Sequence, residues 1–481
     1  MAHLVELPTA FIDKARAILG PKGLAQDPVQ LAPFLTEWRD RWRGSTPLLA
    51  QPDNPKKLAE FVNLCATYKL PITPQGGNTG LVGGQIPQGE VLLSTRRLTQ
   101  IRAIDPAAMT LCVDAGVTLQ QAAEAAAEHD LLFPLELASG GSATIGGAIA
   151  TNAGGMGVLR YGNMRDLVLG LEVVLPDGQL WDGLSTLRKD NTGYDLKQLF
   201  IGSEGTLGVV TGATLRLFAR PPTQITIWAG LEQPEDAVKL LAHLRGGFAE
   251  QISKFELISE TSLELVLAHM NDARRPLQSR TPWHVLVEFG LSDTQDAMDQ
   301  VFFALESAME QGSISDAIVA KSQAEANALL ALRENISAAQ KQQGAAIKHD
   351  ISLPLAAIPD FLQAAAEAIE LQAPGTRFCI FGHLGDGNLH YNLLQPVGMK
   401  PQDFLAQRET ITGLVHDLVH ARAGSFSAEH GIGIAKIGEM QRYKSPMELS
   451  LMQSLKQTFD PDHLMNPRLW FEIAPQDKKD V

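Results

Sequence analysis

The sequence predicts a protein of two domains that mix helices and strands, the first of them either α+β or α/β. Strand and helix patterns alternate through the first half of the chain, and a second alternating series follows. The segment ARPPT at residues 219–223 lies between the two series, and paired prolines after a strand are typical of a boundary. A chain of 481 residues that is 45% hydrophobic is long enough for two or three compact domains.

The first predicted elements are an N-terminal helical arm at residues 1–45 and a strand followed by a helix. Apolar spacing predicts the helix of the arm over Ala10–Leu19. Pro47–Ala50 is typical of a short strand, and the next helix is predicted to begin at Asn54 as N-cap with Pro55 in its first turn. These elements open the first domain.

Later elements are predicted from capping and turn residues. Thr118 and Gln121 have the spacing of a capping box, and LVLGLEVVLPDGQLWDG predicts two strands around a Pro-Asp-Gly turn. Beyond the prolines we expect strands at QITIWAG, HVLVEFG, KHDISLP and RFCIFGH. One long helix is expected over Ser322–Gln343 and another over Leu355–Leu371, and the last sixty or so residues are expected to be helical with short turns.

Charge and cysteine content exclude several classes of protein. The formal net charge is −14 and no basic run is present, so nucleic acid is not an expected partner. Cys65, Cys112 and Cys379 are far apart in apolar sequence, which indicates reduced core residues in a reducing compartment. The N-terminal sequence lacks the features of a signal peptide, and the uncharged stretch 137–159 is too rich in glycine for a membrane span. We therefore expect a cytoplasmic protein.

Three glycine clusters lie in the first half, at residues 71–84, 138–157 and 201–212. None of them has the spacing of a dinucleotide fingerprint or of a nucleoside-triphosphate P-loop. Dense glycine lets backbone N–H groups approach an anion closely. A single cluster is equally compatible with tight turns, but three clusters in one domain predict a large phosphorylated ligand.

The segment FGHLGDGNLHYN at residues 381–392 predicts a hairpin that carries two histidines. If Asp386 and Gly387 form a two-residue type I′ turn, His383 pairs directly with His390, with Cβ atoms about 4.5 to 5.5 Å apart. Such a pair suits imidazole ligation of one metal ion. The alternative is a surface hairpin with incidental histidines, and a longer loop would change the register.

A third ligand is predicted in SFSAEHGIGIAK, where Glu429 and His430 stand among small residues. Two histidines and one carboxylate leave coordination positions open, as in catalytic metal sites. Adjacent residues seldom bind the same ion, so His430 is available as a general base. Arg333 and Ser337 are four residues apart on a predicted helix, so they share a face that suits a carboxylate or, alternatively, a solvated ion pair.

The glycine clusters carry a resemblance to a known fold. PITPQGGNTGLVGG, ATNAGG and IGSEGTLGVVT resemble the flavin-binding domain of the vanillyl-alcohol oxidase or p-cresol methylhydroxylase (PCMH) type, over most of residues 46–220. The resemblance implies an α+β protein with a two-subdomain FAD-binding domain at 46–222. It also implies an α+β substrate (cap) domain with an antiparallel sheet at 223–430 and a helical segment at 431–481 that packs back on the FAD domain.

The same resemblance implies which residues bind FAD. Members that hold the flavin covalently have a histidine near the end of the first loop, and this chain has Asn78 and Thr79 there, which implies non-covalent FAD. The implied cofactor contacts are Pro74, Gly76, Gly77, Asn78, Thr79, Gly80, Leu81, Ser139, Ser142, Thr144, Gly147, Asn152, Gly155, Glu204, Gly208, Val209 and Asn466.

GHLGDGNLH together with AEHGIG resembles the flavin-linked 2-hydroxy acid dehydrogenases, a subgroup that includes D-2-hydroxyglutarate and D-lactate dehydrogenases. This resemblance implies a divalent metal, zinc, on His383, His390 and Glu429, with His430 as catalytic base. ALRENIS and IKHDISLP imply substrate contacts, which with the metal-side residues are Arg333, Ser337, Lys348, Asn392 and His430. MNPRLW departs from the usual Asn-Pro-Gly-Lys, because Arg468 stands near the position of the lysine.

The implied reaction is oxidation of a D-2-hydroxy acid to the 2-oxo acid, with hydride transfer to FAD. D-2-hydroxyglutarate is the first candidate substrate, and D-lactate, D-malate and glycolate are alternatives. The implied electron acceptor is electron-transfer flavoprotein or a quinone, and a homodimer is compatible with the resemblance. Two rival hypotheses are a metallohydrolase acting on a phosphorylated substrate and a flavin-binding protein without catalytic activity.

Overall fold

The structure is a computed structural model that describes residues 5–292 and 296–470. The chain divides into two compact units. The first takes in the residues up to Gly154, Gly162–Arg220 and the residues from Glu429 onward, and the second consists of Gly155–Tyr161 and Pro221–Ala428. Within the described ranges, every helix is too short or too polar to serve as a membrane span. The domain limits at residues 46, 222 and 430 stay a prediction.

The secondary structure alternates strands and helices in both units. The strands are β1 (Leu24–Ala25), β2 (Leu49–Ala50), β3 (Ile72–Gln75), β4 (Val91–Ser94), β5 (Ile101–Asp105), β6 (Thr110–Asp114), β7 (Leu131–Leu132), β8 (Val168–Val174), β9 (Leu180–Gly183), β10 (Val209–Arg216), β11 (Phe218–Ala219), β12 (Thr223–Leu231), β13 (Ile252–Ser259), β14 (Trp283–Leu291), β15 (Asp316–Val319), β16 (Ala346–Ser352), β17 (Arg377–Gly382) and β18 (Asn388–Leu394). The helices are α1 (Thr9–Leu19), α2 (Pro28–Leu35), α3 (Pro55–Thr67), α4 (Leu119–Ala127), α5 (Ile145–Thr151), α6 (Val158–Tyr161), α7 (Met164–Leu167), α8 (Lys197–Phe200), α9 (Pro234–Phe248), α10 (Glu260–His269), α11 (Ala297–Glu310), α12 (Gln323–Glu334), α13 (Ile336–Gln340), α14 (Ile358–Gln372), α15 (Pro401–Leu405), α16 (Arg408–His420), α17 (Ile437–Tyr443) and α18 (Pro446–Phe459).

The first unit contains two main sheets. A four-stranded sheet has the order β1-β2-β4-β3, in which β4 pairs in parallel with β2 and β3. A five-stranded antiparallel sheet has the order β5-β6-β10-β8-β9. The predicted helix starts are confirmed: Asn54 Oδ1 accepts from the N–H of Lys57 at 2.9 Å, and Thr118 and Gln121 form a capping box on α4.

The second unit is built on a seven-stranded antiparallel sheet with the order β15-β12-β14-β13-β17-β18-β16. Its apolar face packs against α9, α11, α14 and α16 in the largest hydrophobic core. The opposite face carries a smaller core formed with α10, α12 and α13. Because side chains alternate between the two faces of a strand, this second face also presents a row of polar residues. The row contains His390, Asn392 and Lys348 from among the predicted metal and substrate ligands.

The predicted two-residue turn between the histidines is wrong. The chain from His383 to Gly387 forms a longer loop with a 3₁₀ turn at Leu384–Asp386, and Gly387 is left-handed at φ 86°. His390 therefore pairs with Phe381 and not with His383. The Asp386 carboxylate accepts from the N–H of Asn388 at 3.1 Å, which stabilises the longer turn.

The single helix predicted over Ser322–Gln343 is also wrong, because it is interrupted at Asn335. The carbonyl of Asn335 accepts from Ala338 and Ala339 at 3.1 and 2.9 Å, which starts a second short helix. Arg333 on α12 is buried, whereas Ser337 on α13 is exposed, so the two do not share a face of one helix. The predicted C-terminal helices are present as α17 and α18; residues 460–470 are not helical, and residues 471–481 lie outside the described part of the chain.

Candidate active site

The glycine clusters of the first unit line one cavity. Its lining is mostly glycine, alanine, threonine and other small residues, joined by His430 and Asn466 from the C-terminal part of the unit. The predicted cofactor contacts that line it are Pro74, Gly76, Gly77, Asn78, Thr79, Gly80, Thr144, Gly147, Glu204, Gly208, Val209 and Asn466. The clusters thus converge in space although the first and the third are more than a hundred residues apart.

The remaining predicted contacts, Leu81, Ser139, Ser142, Asn152 and Gly155, do not line this cavity. Asn152 ends α5 in a left-handed conformation, and its side-chain oxygen accepts from the N–H of Arg165 at 2.9 Å. The carbonyl of Ser139 accepts from the N–H groups of Ser142 and Ala143. Gly155 belongs to the second unit. Asn152 and Ser139 thus stabilise loops of the first unit through these bonds.

Two buried oxygen atoms of the lining residues test whether FAD suits the cavity. Asn466 donates its amide to the carbonyls of Gly84 and Glu204, at 3.1 and 2.9 Å, while its Oδ1 has no hydrogen-bond partner among the described residues. Gln75 likewise donates to backbone carbonyls, and its Oε1 is buried without a partner in the described ranges. Buried acceptors of this kind normally have a donor. The N–H and O–H groups of FAD supply such donors, so the residues fit the cofactor.

Glu204 carries the sole carboxylate that lines the cavity in the described part of the chain. Its two oxygens accept from the N–H groups of Ile432 and Gly433, at 2.7 and 2.8 Å. Burial raises the pKa of Glu204, and the two N–H donors partly oppose that effect. The carboxylate therefore holds the loop that follows His430, the predicted base.

Arg96 is a residue of this site that the sequence did not indicate. Its guanidinium donates to the carbonyls of Gly76 and Gly77, at 3.2 and 2.7 Å, and lies 5.1 Å from the ring centre of Phe34. Burial lowers the pKa of Arg96. By holding the loop carbonyls, Arg96 fixes the first glycine loop. It was missed because it lies outside every glycine cluster and belongs to no motif.

Arg468, which interrupts the usual Asn-Pro-Gly-Lys pattern, is not among the residues that line the cavity. Its Nε lies 2.7 Å from a carboxylate oxygen of Glu90, and it also donates to the carbonyl of Ile86 at 2.5 Å. The Arg468 side chain thus stabilises the packing of the C-terminal segment within the first unit.

The sheet of the second unit aligns the predicted substrate and metal residues by register. Lys348 on β16 pairs with Asn392 on β18, and two residues along, Asp350 pairs with His390. Paired residues and residues two apart share a face of a sheet. These four side chains are therefore neighbours, together with Phe381, which pairs with His390 from the other side.

The two imidazoles approach each other in spite of the changed register, with ring centres 5.8 Å apart. Nδ1 of His383 lies 2.5 Å from Oε1 of Glu256 on β13, and Oε2 of the same carboxylate accepts from Nε of Arg333 at 2.6 Å. Burial alone would raise the pKa of Glu256, but its interactions and hydrogen bonds with His383 and Arg333 lower it to about 2. The carboxylate is thus ionised and shared by two candidate ligand residues.

Glu429 completes the predicted group of metal ligands. It directly follows Ala428, whose N–H donates to the carbonyl of Asp350 at 3.3 Å. One potential ligand atom from each of His383, His390 and Glu429 lies within 4.8 Å of the other two. Two imidazole nitrogens and one carboxylate oxygen are donors that suit zinc and similar divalent ions. The residues therefore fit a metal.

Comparisons with known proteins agree with the fold. The family of FAD linked oxidases, C-terminal domain, matches residues 220–469, and the FAD binding domain family matches residues 46–183. p-Cresol methylhydroxylase with bound substrate superposes with a TM-score of 0.75 over 96% of this chain and 97% of its own, at 17% identity. This similarity establishes the PCMH-type α+β fold predicted from the sequence.

Curated relatives of known name are more similar in sequence. A D-2-hydroxyglutarate dehydrogenase of Xanthomonas citri is 37% identical over 93% of this chain and 94% of its own. A D-2-hydroxyglutarate–pyruvate transhydrogenase of Saccharomyces cerevisiae is 36% identical over 92% and 90% of the two chains. The mitochondrial D-2-hydroxyglutarate dehydrogenase of Rattus norvegicus is 36% identical over 93% and 82%. The chain therefore belongs to the family of FAD-linked D-2-hydroxy acid dehydrogenases.

Proposed function

We propose that the enzyme oxidises D-2-hydroxyglutarate to 2-oxoglutarate with the help of a divalent metal, which we take to be zinc. The observation that carries the proposal is the group of His383, His390 and Glu429 beside the two basic residues Lys348 and Arg333. A bound metal would hold one carboxylate and the 2-hydroxyl of the substrate. Lys348 and Arg333 would bind the second carboxylate. The names of the similar enzymes support the same substrate.

His430 is the proposed general base. It lines the cavity of the first unit, and the adjacent residue, Glu429, is a proposed metal ligand. The proton of the substrate hydroxyl passes to its imidazole while the C2–H bond breaks and the C2–O double bond forms. A bound divalent cation supplies positive charge that makes the hydroxyl more acidic. FAD supplies the redox chemistry by accepting the hydride from C2.

Lys348 and Arg333 are proposed to bind the carboxylate that D-lactate lacks. Lys348 is half-buried on the same sheet face as Asn392, and Arg333 is buried with its guanidinium 4.6 Å from the ring of Phe381. Two fixed cations favour a dicarboxylate over a monocarboxylate. Asn392, next to Lys348, is proposed to contact the substrate near the metal. Ser337 is exposed on α13 and is the remaining proposed contact.

The FAD is proposed to be non-covalent, because Asn78 and Thr79 stand where covalent relatives have a histidine. Acid precipitation should then release the flavin into the supernatant. Electrons are proposed to leave the reduced flavin for electron-transfer flavoprotein or a quinone, which a comparison of these acceptors with O₂ would test. A cytoplasmic location and a homodimer stay predictions.

One experiment tests the proposed reaction. The purified FAD protein is assayed with D- and L-2-hydroxyglutarate, D-lactate, D-malate and glycolate and a dye acceptor, before and after chelator treatment. We expect D-2-hydroxyglutarate to have the highest kcat/KM, the chelator to abolish turnover, and Zn²⁺ to restore it. If chelation leaves turnover unchanged, the proposed role of the metal is wrong. If kcat/KM is highest for D-lactate, D-lactate and not D-2-hydroxyglutarate is the substrate.

A further inference from the structure

We propose that Glu256 is a positioning residue that fixes a metal ligand and the substrate-binding arginine with one carboxylate. The inference rests on the proposed function, because it assigns a metal to His383 and substrate to Arg333. Sequence motifs did not indicate Glu256, which stands in the strand sequence ISKFELIS among apolar residues. All three side chains, and the contacts between them, lie within the second unit.

The backbone places Glu256 opposite His383. Leu257 and Ile258 of β13 pair with Gly382 and Phe381 of β17, so the next position along this register sets Glu256 beside His383. Glu256 is completely buried, and Arg333 and His383 are each 7% exposed. A charged carboxylate at such a position is stable only when it is paired. Each of its oxygens has its own partner, at 2.5 and 2.6 Å.

The contact with His383 decides which ring nitrogen can bind a metal. A neutral imidazole has one protonated nitrogen and one lone pair, and a carboxylate at Nδ1 requires the proton to be there. Nε2 then keeps its lone pair for the ion. His390 has a weaker arrangement, because Oδ1 of Asp350 is 3.8 Å from its Nδ1 and already accepts from the Asn388 amide at 3.0 Å. Glu256 is therefore the stronger orienting group.

The contact with Arg333 leaves the outer edge of the guanidinium available. Of the Arg333 nitrogens, only Nε donates a hydrogen bond to Glu256. No described residue accepts a hydrogen bond from the two terminal nitrogens, although the Arg333 side chain is buried. Two parallel N–H groups at that edge match a carboxylate. Because one rigid carboxylate holds both partners, it also sets the distance between the metal ligand and the arginine.

The test compares Glu256→Gln with the wild-type protein and with Glu288→Gln as control. Glutamine keeps the shape but has one acceptor oxygen, so it cannot accept from both His383 and Arg333. Glu288 is a buried carboxylate of the same sheet, 3.3 Å from Lys254. Each FAD-loaded protein is stripped with chelator and titrated with Zn²⁺ against a chromophoric competitor. We expect the Kd for Zn²⁺ to rise about 10- to 100-fold in Glu256→Gln and to stay within about twofold in Glu288→Gln.

The outcomes separate this inference from the proposed function. If the wild-type protein binds no Zn²⁺, the proposed metal is wrong and the inference falls with it. If the wild-type protein binds Zn²⁺ and folded Glu256→Gln binds it equally well, only the inference is wrong. If Glu256→Gln does not fold, ¹⁵N-histidine NMR of the wild-type protein decides. The signal that is missing in His383→Gln should show a proton on Nδ1 and none on Nε2, and the opposite tautomer would overturn the proposal.

Discussion

Gly77 lies against the carbonyl group of Ser142 so closely that a methyl group on its α-carbon would stand 2.0 Å from that oxygen. The two residues belong to different glycine clusters. Gly77 lines the cavity, and Ser142 directly precedes the lining residue Ala143. We predict that Gly77→Ala displaces the first loop and weakens FAD binding about 10- to 100-fold, since forced overpacking costs roughly 1–3 kcal/mol. The flavin-to-protein absorbance ratio after dialysis measures the loss.

The control for this substitution is Gly246→Ala. Gly246 lies in α9, and a methyl group there would meet no atom within 4 Å. Alanine also favours a helix over glycine. Gly246→Ala should therefore keep its FAD. Equal retention of flavin by both variants would show that the contact at Gly77 does not shape the cofactor site.

His430→Asn is predicted to lower kcat by about 10²- to 10⁴-fold, the contribution typical of a general base. FAD content and the flavin spectrum should stay close to those of the wild-type protein, because the N–H groups of Ile432 and Gly433 hold the loop that follows on the carboxylate of Glu204. His463→Asn, at a half-buried histidine of the same unit, is the matched control. Stopped-flow reduction of the flavin by substrate measures the effect. A reduction rate unchanged in His430→Asn would remove His430 from the proposed mechanism.

Lys348→Met is predicted to change the choice of substrate. A hydrogen bond to a charged group contributes roughly 1.5–3 kcal/mol, so kcat/KM for D-2-hydroxyglutarate should fall about 10- to 100-fold. The fall for D-lactate should be much smaller, because D-lactate has no second carboxylate. Lys239→Met, at an exposed lysine of α9, should change neither value. An equal fall for both substrates would place Lys348 at the carboxylate that the two acids share.

Sequence patterns predicted the type of most elements and the grouping of His383, His390 and Glu429, but not the geometry that joins them. His383, His390 and Glu429 stand in recognisable motifs, so they could be found from residue type and spacing. The register of the hairpin could not be predicted from the sequence, because a Gly-Asp-Gly segment suits both a two-residue turn and the observed 3₁₀ loop. The contact between Glu256 and Arg333 spans 77 positions. Local patterns carry no information on such a pair.

The buried residue His284 predicts a pH dependence of stability. Its ring lies between Trp228 Nε1, at 3.2 Å, and Glu260, at 2.7 Å, and Arg275 also pairs with Glu260. Burial lowers the pKa of His284, an effect that Glu260 partly opposes and Arg275 reinforces. The folded protein thus takes up this proton less readily than the unfolded chain, whose histidines titrate near about 6.5. The stabilisation is complete above that pH and is lost as the pH falls below it.

Thermal unfolding at about pH 7.5 and about pH 5.5 tests this dependence. Both pH values lie above the ordinary pKa range of carboxylates, so those groups contribute little to the change. The wild-type Tm should fall at the lower pH. His284→Gln should unfold at a lower Tm at both values, because its packing is poorer, but its Tm should change less with pH. If the Tm of His284→Gln falls as much as that of the wild type, another group must cause the dependence.

Lys456→Met is predicted to destabilise the first unit strongly. Nζ of Lys456 is buried and donates to the carbonyls of Thr206 and Met465 and to the carboxylate of Asp460. Burial lowers the pKa of Lys456, and Asp460 opposes that effect. Loss of one partner of a buried ion pair typically costs about 3–5 kcal/mol, because the remaining charge is left uncompensated. The midpoint of urea unfolding, followed by flavin fluorescence, should fall accordingly.

The matched control is Lys444→Met, which removes a lysine from an ion pair near the start of α18. Lys444 and Glu448 are 42% and 46% exposed, and exposed pairs contribute about 0–1 kcal/mol. FAD should also be lost more readily from Lys456→Met, because Asp460 accepts from the N–H of Met465 at 2.8 Å and the next residue is Asn466 of the cavity. Similar midpoints for the two variants would mean that the buried pair does not stabilise this segment. In that case Asn466 must be held by its own bonds to Gly84 and Glu204.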